Sequence, residues 1–305
     1  MNNLIKSAEK LLKDGLNVKK SERVCIVKDY DSKIVKALEE ACSNNGFEYN
    51  TIKIPLNRKN SSPIPSAREH FKKCDVIIAP TRNSITHSHE TSVARKKGAG
   101  IITLPGITEK IFMKILGADF DDIDRVNKKI YNQVNKKLDF HIKTKNGTDL
   151  RLKVGRRKWI MDGMKTKRWQ ISNAPSGEVF TAPIENSASG IIVIDRWERI
   201  KSKDKAKLFV KNGKIESWSK GAEPYIKVLG NDKNSRTIAE LGIGTNKAHK
   251  KPIGNILHDE KIFKSCHIAF GMNESFGGKN RAGVHEDIIL MNPIITADGK
   301  KIRIN

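Results

Sequence analysis

Near its C-terminal end the 305-residue chain reads "CHIAFGMNESFGGKNRAGVHED", from Cys266 to Asp287. His285 and Asp287 are separated by one residue, and on a strand that spacing turns both side chains to the same face. His267 belongs to an alternating apolar run that reads as a neighbouring strand, reached across a loop of glycines and small polar residues. Two imidazoles and one carboxylate are a donor set that holds a single divalent metal ion and leaves coordination positions open.

Two further segments carry carboxylates in the same kind of setting. "SNAPSGEVFTAP" puts Glu178 after a Pro-Ser-Gly turn, at the head of a strand, and "SRTIAELGIGTN" puts Glu240 at the end of a short helix, directly before a Gly-x-Gly turn. Carboxylates beside glycines at element ends approach a metal or ligand closely. Taken singly, each glutamate also fits a turn-exposed surface residue, His267 a satisfied core histidine, and His285 with Asp287 an ion pair. Phe180, Phe276 and Trp159 read equally as the walls of a side-chain pocket or as core.

The elements that must position these groups fall into two parts. Residues 1–135 alternate strand and helix signals: "ERVCIV", "EYNTIKI", "DVIIAP" and "IITLPG" as strands, with "DSKIVKALEEACSNNG", "SAREHFKK", "HETSVARKKGAG" and "EKIFMKIL" as helices. That alternation predicts an α/β domain with a parallel sheet and flanking helices. No G-x-G-x-x-G follows its first strand, so a dinucleotide site has no support. After a helix over "DDIDRVNKKIYNQVNKKL", residues 136–305 turn to hairpin grammar, with Asn-Gly turns in "DFHIKTKNGTDLRLKV" and "KLFVKNGKIESW". The expectation is a mostly β, α+β C-terminal metal-binding domain.

Composition narrows the function classes. The 37% of hydrophobic residues and the length suit a soluble globular chain with a substantial core. No apolar run approaches the roughly 18 residues that span a membrane, and "MNNLIKSAEKLLKDGL" reads as an amphipathic helix rather than a signal peptide, so the expected location is cytoplasmic. Four cysteines without a Cys-x-x-Cys pair argue against a disulfide framework and a zinc ribbon. The net charge of +24 raises nucleic acid as a partner, but the basic runs are scattered and aromatics are only 6%, few for base stacking. Weak, salt-sensitive contact with polyanions is what such a surface implies.

In combination, "NAPSGEVFTAP", "AELGIGTN", "CHIAFG" and "VHED" resemble the aminopeptidase T/aminopeptidase S family of dinuclear metallopeptidases. "NGTDLRLKVGRRKW" resembles the hairpin that opens that family's catalytic half, and "THSHETSVARKKGAGIITLPGI" is similar to a segment of its α/β domain. The resemblance implies metal ligands at Glu178, Glu240, His267, His285 and Asp287, holding two divalent ions, Zn, Co or Mn. It implies hydrolysis of the N-terminal bond of peptide substrates by a hydroxide between the ions, which lie about 3.5–4 Å apart in such centres. It implies catalytic roles for Glu178 and Glu240, and a homodimer. Where the longer aminopeptidases carry a catalytic tyrosine this chain has Glu274, a further candidate catalytic group. The mononuclear non-haem Fe(II) 2,5-dihydroxypyridine dioxygenases are similar in fold, and His267, His285 and Asp287 would serve there too. Retention of Glu178 and Glu240 favours two ions and hydrolysis on ligand count. A third reading, a basic nucleic-acid-binding protein on a degenerate scaffold, is opposed by the complete ligand set.

Overall fold

The computed structural model describes residues 1–58, 62–86, 88–197 and 200–304. They form two compact units, one of Met1–Asp124 with Gly163–Ser176 and the other of Arg125–Asp162 with Gly177–Asn305.

The first unit is built on a parallel sheet. Arg23–Lys28 lies between Glu48–Lys53 and Val76–Ala79, and Gly100–Thr103 continues the sheet in parallel. A short strand, Ile171–Asn173, closes it beside Gly100–Thr103. Helices Lys33–Asn44 and His89–Lys96 start where Ser32 and Ser88 accept hydrogen bonds from Val35 N and Thr91 N, capping free backbone donors. The sheet strands Val76–Ala79 and Gly100–Thr103 are buried along their whole length, as a sheet covered on both faces requires. The fold class read from the sequence is therefore found: an N-terminal parallel sheet with flanking helices, followed by a mixed β/α C-terminal region.

The second unit is a pair of seven-stranded sheets. One runs through the two Asn-Gly hairpins, Asp139–Lys143 with Asp149–Lys153 and Lys207–Lys211 with Lys214–Trp218. At the second of these turns Asn212 and Gly213 both take positive φ, the conformation that suits a two-residue hairpin loop. The other sheet contains Glu178–Thr181, Ile238–Gly244, Ser265–Gly271 and His285–Met291 as antiparallel neighbours in that order.

Alternation along these strands divides the second sheet into two faces. Leu241, Ile243, Cys266, Ile268, Phe270, Ile288 and Leu290 join Phe140, Ile142, Leu150, Leu152, Ile192, Leu208 and Ile295 of the first sheet in one buried cluster. Helix Phe120–Val134 adds Val126, Ile130 and Val134, four residues apart and so on one stripe. Trp159 also belongs to this cluster, packed on Phe140 with ring centres 5.4 Å apart, so it is part of the core. The opposite face of the sheet carries a different set of side chains.

Candidate metal centre

In an antiparallel pair, residues directly opposite one another share a face. Asp287 faces Ala269, which faces Glu240; His285 faces Gly271; and His267 faces Gly242, which faces Phe180. Glu178 faces Gly244. All five candidate ligands therefore leave the sheet on the side away from the apolar cluster, with glycine or alanine between them.

The small residues are required by what lies over them. A Cβ on Gly242 would stand 1.9 Å from His267 Nε2, so the imidazole occupies the space a side chain would take. At Gly244 a Cβ would meet Ile262 O at 2.1 Å and Glu260 O at 2.9 Å, so the chain that follows helix Ile256–Asp259 lies directly on the sheet. This corrects one expectation. Glu240 does not end a helix before a Gly-x-Gly turn; it sits inside the strand Ile238–Gly244, preceded by a 3-10 turn at Lys233–Arg236. Glycine in a strand interior marks close approach of another group, and here His267 and the 260–262 backbone are those groups.

The five side chains converge. His267 Nε2 is 3.1 Å from Glu240 Oε1 and 3.4 Å from Glu178 Oε2; His285 Nε2 is 3.3 Å from Glu240 Oε2 and 3.6 Å from Asp287 Oδ2. His285 Nδ1 lies 2.7 Å from Met272 O, which fixes the ring and leaves Nε2 for the cluster. Two sets could each hold a metal ion, Glu178–Glu240–His267 and Glu240–His285–Asp287, every donor atom within a set lying within 4.8 Å of the others. Glu240 is common to both.

Electrostatics fit a cation. Among the described residues, Glu178 Oε2 and Asp287 Oδ1 are buried without a hydrogen-bond partner, an expensive state for carboxylate oxygens unless an ion completes them. Burial pushes the Glu178 carboxyl up to about 8 and the Asp287 carboxyl up to about 7. Burial would also raise Glu240, but hydrogen bonds from His267 and His285 hold it at about 2. The same partners overcome the effect of burial on the imidazoles: Glu240 and Glu178 take His267 to about 9, and Asp287 and Glu240 take His285 to about 10. These donor atoms keep their protons to high pH, and a metal ion that binds them must displace those protons.

Two charged groups here were missed by reading the sequence. Lys261 is 1% exposed; its ammonium donates to Glu178 Oε1 and lies 2.7 Å from Glu260 Oε1. The segment "HDEKIF" reads as a charged surface turn, and only its descent onto Gly244 brings Glu260 and Lys261 to the cluster. Glu274 belongs to neither set: its side chain is 40% exposed and accepts from Arg281 Nε at 2.6 Å. Phe180 and Phe276 are half-buried beside the cluster, 5.6 Å apart edge to face, and Phe276 meets the His285 ring in the same way at 5.7 Å.

Comparison with known proteins places this geometry. The 2,5-dihydroxypyridine 5,6-dioxygenase of Pseudomonas putida KT2440 is 25% identical over 181 residues, 53% of this chain and 51% of that protein. The aligned stretch thus spans about half the length of the relative. The solved structure of 2,5-dihydroxypyridine dioxygenase from the same organism superposes with a TM-score of 0.84 at 19% identity, covering 98% of this chain and 94% of its own. Wild-type AmpT from Thermus thermophilus superposes with a TM-score of 0.69 at 18% identity, covering 98% and 96%. Both share the fold of this chain, and each of its two donor sets could hold a metal ion. Residues 117–304, a stretch that contains all five converging side chains, match the thermophilic metalloprotease (M29) family, and the chain belongs to that family.

Proposed function

We propose that the site holds one divalent iron and that the protein is a ring-cleaving dioxygenase acting on a dihydroxylated pyridine. The observation that carries this reading is the agreement of two comparisons. The dioxygenase is matched in sequence at 25% identity, and its fold superposes more closely than that of AmpT, at 0.84 against 0.69. In this reading His267, His285 and Asp287 would hold the ion, and Glu240, 3.1 Å from one imidazole and 3.3 Å from the other, adds negative charge beside it. The ion supplies the Lewis acidity and redox capacity that ring opening by dioxygen uses. Phe180 and Phe276 offer flat apolar surface beside His285, suited to a planar ring. Glu274, turned out to Arg281, gives the site no phenol to assist peptide hydrolysis.

A second reading, a dinuclear aminopeptidase using Zn, Co or Mn, is favoured by one feature: Glu240 belongs to both donor sets, as a bridging carboxylate would. One experiment separates them. Oxygen uptake is measured with Fe(II)-loaded protein and 2,5-dihydroxypyridine, alongside release of p-nitroaniline from aminoacyl anilides by protein loaded with Zn, Co or Mn. Substrate-dependent oxygen consumption supports the dioxygenase. Anilide hydrolysis without oxygen uptake would replace it with the peptidase.

A further inference from the structure

Lys261 is held in place from several sides. Asn246 N donates to Lys261 O at 3.1 Å, and Ile262 pairs with Asn246 as an isolated bridge. The glycine at 244 provides the room for this backbone. A buried ammonium is costly unless paired, and Lys261 is paired twice, with Glu178 and Glu260. Glu178 is thereby divided: Oε1 accepts from the ammonium, while Oε2 has no donor and faces the donor set of Glu240 and His267.

We propose that Lys261 is a built-in cation that stands in for a second metal ion and holds the metal count of this site at one. The inference rests on the single-ion reading above. Four carboxylates converge here, Glu178, Glu240, Glu260 and Asp287, and Lys261 neutralises part of that charge without leaving the protein. A second dication held by Glu178 and Glu240, beside an ion already on His267, His285 and Asp287, would share Glu178 with an ammonium already in contact with it. In a buried site of low dielectric, like charges at that range repel strongly. Without the ammonium, the same carboxylates face one dication and Glu178 Oε1 loses its cationic partner, and a second ion restores the balance.

The test counts metal. Wild type, Lys261→Met and Lys261→Arg are loaded with excess zinc, freed of unbound metal, and analysed for zinc per chain, with folding checked by circular dichroism. Methionine keeps the length and removes the charge; arginine keeps the charge. The expected counts are one, two and one. Two ions in wild type would overturn the single-ion reading and this inference with it. One ion in wild type with one or none in every neutral variant that folds, Lys261→Met or Lys261→Gln, would overturn the role of Lys261 alone. Lys261→Gln, which retains a donor to Glu178, is counted in parallel: two ions in either folded neutral variant support the inference. If neither neutral variant folds, Lys261 is a structural cation and the inference falls.

Discussion

Glu240 lies against both imidazoles, His267 and His285, and the four groups around it are shifted in one direction. Glu178, Asp287, His267 and His285 all keep their protons to higher pH than they would in an unfolded chain. Groups with raised folded values support the metal-free fold fully below their unfolded values, and that support is lost as pH rises through about 7 to about 10. We expect the metal-free protein to melt at progressively lower temperature across that window, and the zinc-loaded protein to be much less sensitive; scanning calorimetry with and without metal measures both. The same protons must leave when an ion binds. Titration calorimetry near neutral pH, in two buffers of different ionisation enthalpy, should therefore show net proton release and an affinity that climbs with pH. An affinity independent of pH would contradict the protonation of His267 and His285.

Among the elements, the strand Ile238–Gly244 decides the most. It offers Leu241 and Ile243 to the core and Glu240, Gly242 and Gly244 to the other face, so one seven-residue strand builds both the sandwich and the site. Gly242→Ala would place a methyl carbon in the ring of His267. We expect it to weaken zinc binding at least about tenfold, in line with losses seen when groups supporting a metal ligand are displaced, and to destabilise the fold by about 1–3 kcal/mol through overpacking. Gly117→Ala, at a position with open space around it, is the control and should change neither. A normal zinc affinity in Gly242→Ala would mean that His267 is not held where the site needs it.

For the whole molecule, the chain's course between its units has a consequence for fragments. Helix Phe120–Val134 starts in the first unit and ends in the second, where Val126, Ile130 and Val134 enter the sandwich core. A fragment of residues 136–305 loses all three. At about 1.5–3 kcal/mol for each buried aliphatic side chain, that loss rivals the whole stability of a typical domain. Such a fragment should lack a cooperative thermal transition, whereas one starting at residue 117, where the family match begins, should recover part of it. A sharp transition in 136–305 would show that the helix is dispensable. The family resemblance also implies a homodimer, for which sedimentation equilibrium at micromolar concentration should give twice the chain mass. Among the described residues, no helix is long and apolar enough to cross a membrane.

The sequence by itself determined the parts that depend on short-range pattern. Alternating strands and helices specify the parallel sheet, Asn-Gly pairs specify the hairpins, and the His-x-Asp spacing puts His285 and Asp287 on one face. Those features follow from backbone periodicity and turn chemistry, which neighbours in the chain dictate. Placement of Ile171–Asn173 beside Gly100–Thr103 was not legible, because strand pairing over long separations leaves no local trace. Nor was the strand state of Glu240: its glycines read as a turn until His267 and the 260–262 backbone are laid over them. Lys261 is the extreme case. Its charge reads as surface from the sequence, and only the tertiary structure buries it against Glu178, because the cost of burying an ammonium is met in part by a carboxylate 83 residues away in the chain.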